Sequence, residues 1–110
     1  MNYFTKIVSI VLLFWMISIF PKTLKVGIDK EFKTINSAIV AAQNGDTILV
    51  NKGHYKEGNI NLTKSITLIG IGRPILDGQM KYEVVSFRAN HITLEGFKII
   101  NSGEDEVTNI

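Results

Sequence analysis

Ile66-Thr67-Leu68-Ile69-Gly70 returns twenty-six residues further along the chain as Ile92-Thr93-Leu94-Glu95-Gly96. A period of that length marks stacked repeat architectures, in which each unit buries its apolar face only against its neighbours. Between the two copies stand two further apolar cores, at residues 75–76 and 84–87, so one period holds three short strands. Three strands per turn is the cross-section of a parallel β-helix. Each coil stacks on the next through main-chain hydrogen bonds, and inward Ile, Leu, Val and Phe make a continuous core. The sequence therefore predicts that Ile66 and Leu68 lie inward on one coil, directly beneath Ile92 and Leu94 on the next, with parallel pairing. Asn90 and Asn101 stand at strand ends, where they either join an asparagine ladder or serve as ordinary turn residues.

Working outward from the repeat, the same texture runs back to Gly45. Apolar cores at residues 48–50, 60–62, 66–69, 75–76, 84–87, 92–94 and 97–100 alternate with turn formers such as Asn51, Gly53, Gly58, Gly72, Pro74, Gly78 and Gly103. Strands recur too often for helical crossovers to fit between them, which leaves a sandwich, a barrel or a solenoid. The repeat decides for the solenoid. The fold class expected is all-β, the start of a right-handed parallel β-helix with two to three coils.

Before Gly45 the period changes. Leu24, Val26 and Ile28 alternate with Lys25 and Gly27 as a first strand. Phe32, Ile35, Ala38, Ile39 and Ala42 then fall on one helical stripe, with Thr34 as N-cap and Gly45 as stop. A β-helix end exposes unpaired strand edges and an apolar cross-section. The single helix is expected to lie across the first coil as a lid, burial of its face being worth on the order of 5 to 8 kcal/mol.

Composition bounds the function classes. The chain has 110 residues, 45% hydrophobic and 20% charged, enough for one small domain. Lys6 is the only charged residue up to Pro21, and the remainder is nearly neutral, so bulk charge gives no reason to expect binding to nucleic acid or to acidic membranes. The absence of cysteine excludes a disulfide framework, a thiolate metal site and a catalytic thiol. Lys6 followed by a charge-free run over residues 7–20 has the shape of a secretory leader. Fourteen residues are short for a bilayer span, which needs about 20. Residues 1–21 are therefore read as a signal peptide, with an uncleaved N-terminal anchor as the competing reading, since no A-x-A pair precedes Pro21. Residues 22–110 are read as the N-terminal cap and first coils.

Phe32-Lys33-Thr34-Ile35, Ala38-Ile39, Ala41-Ala42, Gly45-Asp46-Thr47-Ile48-Leu49-Val50 and Gly53-His54-Tyr55-Lys56-Glu57 together resemble the opening segment of pectin-lyase-like right-handed β-helices. That likeness speaks for fold rather than chemistry, since lyases, esterases and binding proteins share it. Ile66-Thr67-Leu68-Ile69-Gly70, Arg73-Pro74-Ile75-Leu76-Asp77-Gly78, Ile92-Thr93-Leu94-Glu95-Gly96-Phe97 and Ile99-Ile100-Asn101-Ser102-Gly103 resemble the opening coils of NosD-type maturation proteins of nitrous oxide reductase. The resemblance covers residues 24–103. It implies a periplasmic location, partnership with ABC transporter subunits and copper-handling proteins, and a part in copper-centre assembly. Members of that family run to several hundred residues, so a truncated chain is expected here, with the copper and partner surfaces of later coils missing. The resemblance transfers no copper ligand to this segment.

The residues that would carry chemistry are few. Copper favours imidazole or thioether ligands, and the part after Pro21 offers His54, His91 and Met80, on different turns and without H-x-H or M-x-x-M spacing. They stand as weak metal candidates, His54 read as a turn residue in Gly53-His54-Tyr55 and Met80 as an exposed loop residue. The rival function is a carbohydrate-active or carbohydrate-binding β-helix with polysaccharide as partner, which as an enzyme would need paired carboxylates along a groove. Asp46 and Asp77 stand at turn or capping positions, and Glu57, Glu83 and Glu95 form no pair in sequence; all five are expected on solvated turns and strand faces. No catalytic residue is assigned. The expectation is an exported accessory protein that binds partners on an extended β-helix surface.

Overall fold

The computed structural model describes residues 20–103. The leader expected over residues 1–21 lies almost wholly outside them, as does the tail at residues 104–110. Nine strands and one helix follow in the order β1 (Thr23–Val26), α1 (Ile35–Ala41), β2 (Thr47–Val50), β3 (His54–Tyr55), β4 (Ile60–Leu62), β5 (Thr67–Gly70), β6 (Ile75–Asp77), β7 (Val85–Phe87), β8 (Thr93–Glu95) and β9 (Lys98–Ile100). They form three sheets, ordered β1-β2-β5-β8, β3-β6-β9 and β4-β7, and every strand pairing is parallel. This is a parallel β-solenoid of about three turns.

The register explains the core. Leu24, Ile48, Leu68 and Leu94 are successive partners in the first sheet, Tyr55, Leu76 and Ile99 in the second, and Ile60 with Val85 and Leu62 with Phe87 in the third. Strand side chains alternate between faces, so a parallel ladder in register stacks like on like. Ile48, Leu62 and Leu68 have no exposed surface, and Ile66 is buried beside them. Leu68 pairs with Leu94 and Thr67 with Thr93, the pairing that the repeat predicts. Ile92 and Leu94 also face the core, but only half-buried, because they belong to the last described coil.

The glycine that ends each copy of the repeat has a steric reason. A Cβ on Gly70 would lie 2.5 Å from the Gly96 carbonyl oxygen, and one on Gly96 would press equally on the Gly70 carbonyl. The two coils approach there closely enough that only glycine fits.

Coil length varies, which the sequence hides. Thr23 to Thr47 is 24 residues, Thr47 to Thr67 is 20, and Thr67 to Thr93 is 26. The 20-residue coil contains β3, a two-residue strand that the sequence reading had treated as a turn. Its partner is Ile75-Leu76, and the main chain of Gly53 accepts from Ile75 at 2.8 Å. Two residues carry no period of their own, so the pairing comes from the neighbouring coil.

The first rung departs from expectation in three places. Ile28 is not in β1; the chain turns at Gly27, whose N–H donates to the Phe32 carbonyl, and Ile28 is 95% exposed. Phe32 precedes the helix and bridges Val26. The helix ends at Ala42 rather than running to Gly45, the Ala42 N–H closing on the Ala38 and Ile39 carbonyls. Thr34 is the N-cap, its side chain accepting from Ser37 N–H at 3.2 Å.

The helix does cover the first coil. Ile35, Ala38, Ile39 and Ala42 are buried in the common core, and the helix packs on β1, β2 and β4. Burial of the two isoleucines is worth on the order of 3 to 6 kcal/mol. Both helix ends are clamped from the coil beneath. The Glu57 carboxylate accepts from Ile35 N–H at 2.7 Å and Asn36 N–H at 2.9 Å. Lys64 Nζ donates to the Ile39, Val40 and Ala42 carbonyls. An anion at the N-terminus and a cation at the C-terminus satisfy orphan backbone groups and complement the helix dipole.

Candidate functional site

Of the five carboxylates expected on solvated turns and strand faces, Asp46 and Asp77 are buried and Glu57 is half-buried, whereas Glu83 and Glu95 are exposed as expected. Asp46 is buried, with Oδ1 accepting from Lys22 N–H at 2.9 Å and Oδ2 from Gln43 N–H at 2.8 Å, so it ties the end of the helical rung to the start of β1. Glu83 accepts from the Ser86 hydroxyl at 2.9 Å, and Asn59 Nδ2 donates to the same hydroxyl and to the Glu83 carbonyl. For Asp46, Glu57 and Asp77 the physical reason is the same. A short strand in a stacked coil ends in a tight turn with unsatisfied N–H groups, and a carboxylate is the strongest local acceptor for them.

Asp77 is the exception that also meets a titratable partner. It closes β6, and its side chain is 7% exposed. His54 stands one coil below, paired with Ile75 in the ladder, and its Nε2 lies 2.7 Å from Asp77 Oδ2. Asp77 Oδ1 accepts from Gln79 N–H at 2.8 Å and from Asn101 Nδ2 at 3.1 Å. The Gln79 N–H, then the His54 hydrogen bond, hold the Asp77 carboxyl below the usual aspartate range, against the opposing effect of burial. A carboxylate can only accept, so His54 Nε2 carries the shared proton and Nδ1 is the ring nitrogen that remains. One carboxylate thereby joins three successive rungs of the β3-β6-β9 sheet.

The His54 side chain is 44% exposed and opens on a groove of about 560 Å³. Ile28, Lys33, Lys52, Gly53 and Tyr55 complete its lining. The Tyr55 hydroxyl is taken, donating to the Asn51 carbonyl at 2.7 Å. Burial, then the nearby Glu57 charge, push its pKa up, so the phenol stays protonated.

Met80 and His91 are not brought to this groove. Met80 is 62% exposed at φ 61° in the turn after Asp77, and lines a different hollow of about 840 Å³ at the far end of the solenoid with Val84, Val85, Phe87, Leu94 and Ile99. His91 is exposed at φ 56°, just before β8. Among the described residues no group of three His, Asp or Glu side chains is placed to hold a metal ion. His54 has one ring nitrogen committed to Asp77, and the three candidates do not converge, so this donor set does not fit a copper ion. Of the two asparagines set at strand ends, Asn101 bonds across coils to Asp77, whereas Asn90 is exposed. The inter-coil polar stack lies elsewhere, with Asn36 Nδ2 on the Asn59 carbonyl and Asn59 on Ser86.

A histidine oriented by a carboxylate is the base-and-orienter half of a nucleophilic site. The hydroxyl or thiol it would activate has no counterpart here: among the described residues His54 hydrogen-bonds to Asp77 alone. Sequence reading missed the pair because its members are 23 residues apart, and only the coil register brings them together. It likewise missed Lys33, Lys52 and Ile28 as groove residues, for the same reason.

Compared with protein-family models, with curated proteins and with solved structures, the chain matches none.

Proposed function

We propose that this chain is the capped start of an exported, periplasmic β-helix accessory protein of the NosD type. In this reading the full-length protein, of which this chain supplies the capped first coils, presents a stacked-strand surface to ABC transporter subunits and copper-handling proteins, and catalyses no reaction itself. One observation supports it most: four of the five carboxylates that the carbohydrate-active reading would draw on are engaged in holding the coils, which leaves only Glu95, exposed on β8, outside that network. Asp46, Glu57 and Asp77 each accept at least two hydrogen bonds, and Glu83 accepts one from Ser86. A carboxylate so occupied is a poor proton shuttle, because transfer would break the bonds that place the strand ends. The resemblance of residues 24–103 to NosD-type opening coils supplies the finer part of the proposal.

The test is made in cells that produce nitrous oxide reductase together with this chain. Deleting the protein should lower the copper content of the purified reductase, and the tagged full-length protein should bring down the transporter subunits. A reductase with its full copper in the deletion strain, together with lost binding to pectin-like polysaccharide, would replace this reading by the carbohydrate one.

A further inference from the structure

We propose that the outermost rung, residues 20–42, together with Lys52 of the adjoining groove, docks on an anionic lipid surface, with Ile28 as the inserted tip. The loop that carries Ile28 is built to hold it outward. The Gly27 N–H donates to Phe32 at 2.9 Å and the Lys30 N–H to Gly27 at 3.2 Å, closing the loop. Lys33 Nζ braces it from below through the carbonyls of Ile28 at 3.0 Å and Lys30 at 2.6 Å. A loop so closed and braced sets an isoleucine 95% exposed, against the tendency of that residue type to be buried. Phe20, 63% exposed, and Val40, 79% exposed, belong to the same rung.

Cations share the rung and the groove of this tip. Lys33 and Lys52 line the same groove as Ile28, and Lys22 and Lys25 are exposed along β1. Against them stand Asp29, which lies 3.9 Å from Lys30, and Glu31. An apolar tip with lysines in its groove and along its rung is an arrangement that enters a headgroup layer, the stem in the acyl boundary and the charges on lipid phosphates.

Position in the chain argues for a bilayer over another protein. Only Pro21 and Lys22 separate the charge-free run of residues 7–20 from β1, and β1 is the outermost strand of its sheet. With that run retained as an uncleaved anchor, the bilayer that holds it lies within a few residues' reach of this rung before any later one. The inference rests on the exported, uncleaved-anchor reading of residues 1–21 but not on copper handling, so the copper experiment and the one below fail separately.

The chain has no cysteine, so single labels are unambiguous. Nitroxide labels would be placed on Ile28→Cys and on Lys98→Cys in the full chain. Lys98 lies on β9 in the last described coil, whereas the β1 edge is about 14 Å from β8 at three strand spacings. With vesicles of mixed phosphatidylglycerol and phosphatidylcholine, the ratio of oxygen to nickel-chelate collisions should rise severalfold at Ile28→Cys and stay unchanged at Lys98→Cys. Adding Lys52→Gln should reduce the lipid-exposed fraction about fivefold, one surface charge being worth about 1 kcal/mol. An aqueous label at Ile28→Cys on vesicle-bound chain would overturn the proposal. So would equal insertion in pure phosphatidylcholine, or burial of the label without vesicles as chain concentration rises, which would mean that a second copy covers the tip.

Discussion

The first and the last described rungs pose the same problem and differ in how it is met. At the first rung, Ile35 and Ile39 of α1 close the apolar cross-section, and Leu24, Val26, Ile48 and Val50 beneath them are buried. At the last described rung, Phe87 is 58% and Ile99 50% exposed, and Ile92, Leu94 and Phe97 are half-buried. Yet Leu68 and Leu94 are ladder partners of the same residue type. Their different burial comes from what lies on the far side of each, not from intrinsic hydrophobicity. In a stacked fold a strand residue is only as buried as its neighbouring coils make it.

The sharpest way to break this comparison is to place a charge at each end. Ile39→Asp in the lid should lower unfolding free energy by more than about 4 kcal/mol, or prevent folding, because a carboxylate enters the core without a partner. Ile99→Asp should cost under about 1 kcal/mol, since half of that side chain already meets water. Urea midpoints of the two variants measure the contrast, and near-equal losses would mean that the far end is as closed as the near one.

The clamp on the lid comes next in size. Lys64→Met removes the donor to three helix-end carbonyls and should destabilise by about 1 to 3 kcal/mol. Glu57→Ala frees two N–H groups and should cost about 0.5 to 2 kcal/mol. Amide exchange should accelerate first over α1 in both, leaving β5 and β6 protected. Uniform acceleration along the solenoid would show instead that lid and coils open as one unit.

Acid tests the middle of the molecule, where Asp77 links three rungs. Its carboxyl titrates below the ordinary value of about 4 in the folded state, so the unfolded state binds more protons and stability rises with pH through that window. The contribution is complete above the unfolded value and is lost as pH falls through the depressed folded value. Asp77→Asn should therefore flatten the stability profile below about pH 4 and leave its shape near neutrality unchanged. A profile as steep as the parent's would assign acid sensitivity to other carboxylates.

The smallest change in stability is expected from Phe87→Ser at the far end, within about 1 kcal/mol. Its effect should appear in sedimentation as reduced self-association, because an exposed apolar patch beside unpaired strand edges invites stacking. Unchanged association would move the sticky surface to the Ile28 rung.

What the sequence by itself determined is the ladder. The return of Ile-Thr-Leu-x-Gly pointed to three strands per coil and parallel pairing in register, because those features repeat whenever the backbone does. The amphipathic stripe likewise announced one helix among strands, and the cap residue Thr34 marked its start. Tertiary structure alone decided the polar connections: His54 to Asp77, Glu57 and Lys64 to the helix ends, Asp46 to Lys22 and Gln43. Most of these join residues on neighbouring coils, over separations that change as the coil length changes from 20 to 26 residues. A periodic pattern specifies which face a side chain takes; only the stacking of unequal coils specifies which polar group it meets there.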